Sequence, residues 1–200
     1  MSLKYNWVNL SDIASTKYVC GYCGSPLASN KGYSAIDRSN SITRRFIYIC
    51  HQCEKPTFFD ENNYQTPGAI YGNKVNDISI SEIERLYEEA RKCISCNAYT
   101  ASVLCCRKLL MNIAVAKTAK EGQSFIEYVQ FLSDKGFVPP DGKEWVDHIR
   151  KKGNEATHEI SIMKKEDAEE LIDFIEMILK FIYEFPAIIK RKGSSQIKTS

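Results

Sequence analysis

The chain of 200 residues lacks any apolar run approaching the length of about 20 residues that a bilayer-spanning helix needs. Its opening MSLKYNWVNL lacks the basic-then-apolar order of an export signal. The expectation is a cytoplasmic protein. Net charge is also scarce, at a formal +2. Residues 1–78 hold 8 Lys and Arg against 6 Asp and Glu, and the remainder holds 19 of each. This balance excludes a strongly basic nucleic-acid footprint and leaves only local patches. Disorder is excluded too, because 44% of the residues are hydrophobic and there are eleven Tyr and two Trp. Eight Cys in a chain without a secretory signal are expected to stay reduced, so paired Cys read as metal ligands before disulfides.

Two such pairs are present. Cys20 and Cys23 lie in VCGYCG, Cys50 and Cys53 lie in ICHQC, and 26 residues separate them. Two CxxC knuckles at this spacing supply four thiolates for the corners of a tetrahedron, which suits a closed structural Zn²⁺ site. Tyr18-Val19 and Phe46 to Ile49 read as strands leading into the knuckles, and Gly21 and Gly24 as residues that allow the tight turn. The pattern resembles a zinc ribbon. A unit this small buries little apolar surface, and a Cys₄ zinc site contributes on the order of 10 kcal/mol to folding in its place. A thioredoxin-like redox pair is not the reading, since that motif occurs singly beside a βαβ pattern. His51 reads as a solvated loop residue, and Arg44 and Arg45 as a hairpin edge or as phosphate contacts.

Residues 61–78, ENNYQTPGAIYGNKVNDI, have no sustained period and read as a linker. Helical spacing follows. Ser79 and Ser81, each with Glu three residues on, look like capping boxes ahead of a stripe Ile80, Ile83, Tyr87, Ala90 and Ile94. A second helix from about Ala98 places Tyr99, Val103, Cys106, Leu110 and Ile113 on one face, and a third runs from Ser124 to Lys135 and is closed by Gly136. Cys93, Cys96, Cys105 and Cys106 fall within these helices and read as core thiols. The last helix, about Lys164 to Tyr183, is apolar on nearly all sides, with Pro186 expected to end it and a frayed basic tail beyond. Its apolar surface predicts a homodimer through the bundle.

Between the third and last helices lies HIRKKGNEATHEI, His148 to Ile160. Trp145, Ile149, Gly153, Ala156 and Ile160 form one apolar helical stripe, while Arg150, Asn154 and His158 recur at four-residue steps on a neighbouring face. Three polar side chains projecting into the same space are candidate catalytic residues: His158 as acid or base, Arg150 as permanent charge, Asn154 as orienting group. A capped, hydrogen-bonded helix end is the structural alternative.

This segment resembles the signature of the bacterial domain-of-unknown-function family numbered 4145, usually placed in the HEPN superfamily of small helical domains. The resemblance spans roughly residues 80–190 and includes Tyr87, Glu89, Ala90, Cys106, Arg107, Leu110 and the ending Ile182 to Pro186. It implies an all-α bundle and, for many HEPN members, metal-independent RNA cleavage at an Arg-Asn-x₃-His motif assembled across a dimer. Gly153 stands where that motif has Arg, and Met111 where the family commonly has Glu. The alternative function is a non-catalytic adaptor or sensor that binds nucleic acid or protein, as in accessories of restriction or anti-phage systems. The expected fold class is α+β: a zinc ribbon over 1–60, a linker over 61–78, a HEPN-like bundle of about five helices over 79–192, and a tail over 193–200. One structural Zn²⁺ per chain is expected, held by Cys20, Cys23, Cys50 and Cys53.

Overall fold

The computed structural model describes residues 7–39, 43–138 and 162–196, with 145, 148, 149 and 151 between them. The fold class is α+β, as the sequence predicts. The chain divides into two compact units, Met1–Tyr71 with Ile94–Asn97, and Gly72–Cys93 with Ala98–Ser200.

The first unit is an antiparallel meander of β1 (Ser11–Val19), β2 (Pro26–Ile36), β3 (Thr43–Ile49), β4 (Pro56–Phe59) and β5 (Gln65–Thr66), paired in sequence order. In a meander alternate turns fall at the same end, so the β1–β2 and β3–β4 turns are neighbours. Both CxxC pairs sit in those turns. Tyr18 lies opposite Leu27 and Phe46 opposite Phe59, and the alternation of β3 carries Tyr48 and then Cys50 into the same core. Phe59 meets Tyr18 and Tyr48 edge-on, with ring centroids 5.3 and 5.5 Å apart. Such pairs add about 1 kcal/mol each beyond the area they bury. The β1–β2 register slips between Asp12 and Thr16, and the carbonyl of Ala14 accepts a hydrogen bond from the Tyr48 hydroxyl at 2.8 Å.

The second unit contains α1 (Ser81–Ser95) except its last two residues, α2 (Tyr99–Ala116), α3 (Phe125–Asp134), α4 (Lys165–Leu179), a π-helical turn (Lys180–Glu184) and α5 (Phe185–Gln196). α2 packs against both α3 and α4. Of the predicted stripes, Ile83, Tyr87, Ala90 and Ile94 on α1 and Val103, Cys106, Leu110 and Ile113 on α2 are buried, while Ile80 and Tyr99 at their starts are only half-buried. α2 is 18 residues long with a mean hydropathy of 1.2, enough by length and composition to cross a membrane, which the sequence reading did not anticipate. Its face Val103, Cys106, Leu109, Leu110, Ile113 and Ala114 is nevertheless buried in the unit's own core.

Two local expectations are corrected. The Ser81 hydroxyl donates to Glu82, and the Ile80 carbonyl takes the N–H groups of Ile83 and Glu84, so Ser81 does not form the capping box its spacing suggests. The box forms at α3 instead, where Ser124 accepts from the Glu127 N–H and Glu127 accepts from the Ser124 N–H at 2.7 Å. Nor does Pro186 end the last helix, which runs on to Gln196. Proline costs most where its missing N–H and its ring disturb an established ladder. Here it follows a π turn in which Phe185 N–H reaches back five residues to Lys180, and it occupies the first turn of α5, where proline is tolerated.

Residues 72–77 run along the second unit. Asn73 bonds to Glu176, Asn76 to Glu184, and Asp77 forms a two-bond ion pair with Arg191.

Candidate metal centre and the motif segment

The two knuckles are copies of one turn. In the first, Cys20 N–H donates to the Ser25 carbonyl at 3.0 Å and Gly24 N–H to the Cys20 carbonyl at 2.9 Å. In the second, Cys50 N–H donates to Lys55 at 3.1 Å and Glu54 N–H to Cys50 at 2.8 Å. Each turn then aims a backbone N–H at its first sulfur, from Tyr22 to Cys20 at 3.5 Å and from Gln52 to Cys50 at 3.4 Å. The fourth residue after each first ligand has a positive φ, 71° at Gly24 and 58° at Glu54. Gly21 has a different reason to be glycine, since a Cβ there would stand 2.3 Å from the Gly68 carbonyl oxygen.

The four sulfurs lie within 4.8 Å of one another, with Cys20 to Cys53 at 3.7 Å and Cys23 to Cys50 at 3.8 Å. A tetrahedron with metal–sulfur bonds of about 2.3 Å has sulfur–sulfur edges of about 3.8 Å, so the donors fit one ion. Cys20 and Cys50 are wholly buried, Cys53 is half-buried and Cys23 exposed. Burial pushes the Cys20 and Cys53 thiols up. Burial also works to raise Cys23, but the bonds from Ser25 and the neighbouring sulfurs outweigh it and bring that thiol down to about 7. Four thiolates so close repel one another unless a cation sits among them, and a cage of soft sulfurs selects a thiophilic ion over Mg²⁺ or Ca²⁺. Among the described residues this is the cluster of His, Cys, Asp and Glu arranged to hold a metal. The thiols of the helical unit do not form another: Cys106 is buried, and Cys105 contacts Glu89 at 3.9 Å with its thiol raised to about 11 by burial.

Arg150, Asn154 and His158 lie outside the described residues, as do Lys152 and Gly153. What leads into them is described. Trp145, His148, Ile149 and Lys151 are helical, Ile149 is wholly buried, Trp145 packs edge-on against Phe174 at 5.0 Å, and His148 Nε2 lies 2.9 Å from Glu170. Met111 lines a groove of about 600 Å³ beside Ile83, Lys108 and Asn112, and brings a thioether rather than an acid to it.

Sequence reasoning missed the polar centre of this unit. Glu176 is only 7% exposed and accepts from Asn73 N–H at 2.6 Å, Asn73 Nδ2 at 3.0 Å, the Tyr87 hydroxyl and Lys180. Buried Arg91 pairs with Glu88 and donates to the Gly72 carbonyl at 2.7 Å. The one available signal was the position of Tyr87, a polar group on an otherwise apolar stripe.

No curated protein and no solved structure matches the chain significantly. Residues 88–199 match the model of one family, Domain of unknown function (DUF4145), over more than half of the chain, and to that family the protein belongs.

Proposed function

We propose that the protein is a zinc-ribbon, HEPN-type cytoplasmic protein that acts on RNA, as a metal-independent endoribonuclease. The carrying observation is the spacing of Arg150, Asn154 and His158 at four-residue steps inside the DUF4145 match, in the stretch that follows Trp145, which packs edge-on against Phe174 of α4. In this reading the His158 imidazole accepts the 2′-hydroxyl proton or protonates the leaving oxygen, the Arg150 guanidinium stabilises the developing phosphorane charge, and Asn154 orients one of them. Cys20, Cys23, Cys50 and Cys53 hold the zinc, whose contribution is to close the ribbon, and every proton transfer belongs to the helical unit.

The second reading is a binding module in which ribbon and bundle recognise nucleic acid or a protein of a restriction or anti-phage system. Gly153 in place of the motif Arg and the thioether of Met111 favour it. RNA cleavage in excess chelator separates the two. The enzyme reading expects His158→Ala to abolish cleavage and Arg150→Ala to reduce it by about 10²-fold or more. Wild-type protein that binds RNA and never cuts it, across varied substrates, assigns the binding module.

A further inference from the structure

The helical cysteines do not share one environment. Cys106 is the core thiol that its position on the α2 stripe predicts, whereas Cys93 on α1 and Cys105 on α2 are half-buried and Cys96 is exposed. The Cys105 thiol is hydrogen-bonded to the Cys93 thiol, and it lies 3.9 Å from a carboxylate oxygen of Glu89, one turn before Cys93 on α1. Two sulfurs are thus neighbours across the α1–α2 hairpin. Beside them the Ser102 hydroxyl, three residues before Cys105, donates to the Ala90 carbonyl, three residues before Cys93, at 2.9 Å. So short a side chain reaches the opposite helix only where the two backbones are close, and close backbones are what a disulfide requires. Neither thiol belongs to the cage of Cys20, Cys23, Cys50 and Cys53.

We infer that Cys93 and Cys105 form a reversible redox site, joined as a disulfide by a small-molecule disulfide such as oxidised glutathione and reopened by thiols. The exchange has two steps. The Cys93 thiolate attacks one sulfur of the oxidant, which forms a mixed disulfide and releases one glutathione thiolate. The Cys105 sulfur then attacks Cys93 Sγ, its proton passes to the Glu89 carboxylate and on to water, and the second glutathione leaves. Two protein thiols are oxidised, one glutathione disulfide is reduced, and the two protons end on the two glutathiones. Cys105 is the resolving partner because burial, with Cys93 and Glu89 beside it, raises its thiol to about 11 and makes it a poor first nucleophile. Exposed Glu89 gives the proton a path to solvent. The pair is open under a reducing glutathione poise and closes as the poise turns oxidising. Once closed, it staples to α2 the helix whose Tyr87 and Arg91 hold the carbonyls of Asn73 and Gly72.

The inference stands apart from whether RNA is cut. The full chain is equilibrated with reduced and oxidised glutathione at about 1 mM each, quenched in acid, alkylated, and digested with chymotrypsin, which cuts after Tyr99 between the two cysteines. Mass spectrometry is expected to find Cys93 linked to Cys105 in about half of the chains or more, and dithiothreitol to remove the link. Cys96→Ser, a change at an exposed side chain, is expected to leave the linked share within about twofold of wild type, and Cys93→Ser or Cys105→Ser to abolish the link. Glu89→Gln is expected to slow closure about threefold or more, since the Cys105 proton loses its acceptor. Far-UV circular dichroism checks that each variant is folded. Cys93 and Cys105 that stay as thiols overturn the inference. So does glutathione that remains on Cys93 without displacement, or a link from Cys93 to Cys96 in place of Cys105.

Discussion

The carboxylate of Glu176, buried on α4, accepts the backbone N–H of Asn73 at 2.6 Å across 103 positions of sequence. It ties residues 72–77 to α4, and at Gly72 beside it, where φ is 71°, a Cβ would stand 2.7 Å from the Ile172 side chain. A buried carboxylate left without donors is costly, whereas one bonded to an amide, a backbone N–H and an ammonium is held in its charged form.

Removing Glu176 should therefore destabilise the helical unit. Glu176→Ala leaves Asn73 N–H and Lys180 without their acceptor, and a loss of about 2–4 kcal/mol is expected in urea unfolding followed by helical circular dichroism. A change below about 0.5 kcal/mol would mean the bonds are replaced by water at no cost.

The same group sets an acid limit. Burial works to raise the Glu176 carboxyl, yet Lys180 and Asn73 outweigh it and lower it below its ordinary value. A carboxylate lowered in the folded state contributes stability above its unfolded pKa of about 4.3 and loses it as pH falls through the folded value. Stability of the helical unit is expected to be flat from neutrality to about pH 5 and to fall below that, and Glu176→Gln should flatten the fall.

For the four-cysteine site, metal analysis of protein purified without added zinc should return about one equivalent per chain, in keeping with a single Cys₄ cage. Cys20→Ser or Cys50→Ser removes a buried ligand and should unfold the sheet while the helical signal persists. Protein that folds its sheet with no bound metal would refute the cage as a folding element.

Glycines separate close approach from turn geometry. Gly32 is opposite Tyr48, and a Cβ there would stand 1.9 Å from the Ile47 carbonyl oxygen, so Gly32→Ala should cost about 1–3 kcal/mol or more. Gly24 has open space around it and a φ of 71°, so Gly24→Ala should cost only the left-handed penalty of about 1–2 kcal/mol. Thermal melts of the metal-loaded protein rank the two.

The helix start at α3 offers a smaller effect. Ser124→Ala removes the side-chain acceptor of the Glu127 N–H, and about 1 kcal/mol is expected, read as a drop in melting temperature of a few degrees.

Some features are set within a few residues and are therefore legible along the chain. The cysteine knuckles are turns closed by bonds four and five residues apart, so their spacing announces a four-sulfur cage before any fold is known. The stripes of α1 and α2 are equally legible, because a buried helical face must repeat with the helix period. Tertiary structure decided the rest. Glu176 looks like one member of a solvated stripe and is instead a buried acceptor, since its donors come from Asn73, more than a hundred residues away. Pro186 has the sequence signature of a stop, and only the π turn before it lets the helix continue. The uniformly apolar α4 suggested an uncovered surface, but the neighbouring elements cover it and leave Phe181, Phe185 and Ile189 outside. Local periodicity states which residues need burial; which of them obtain it depends on the neighbours that the whole chain brings to each face.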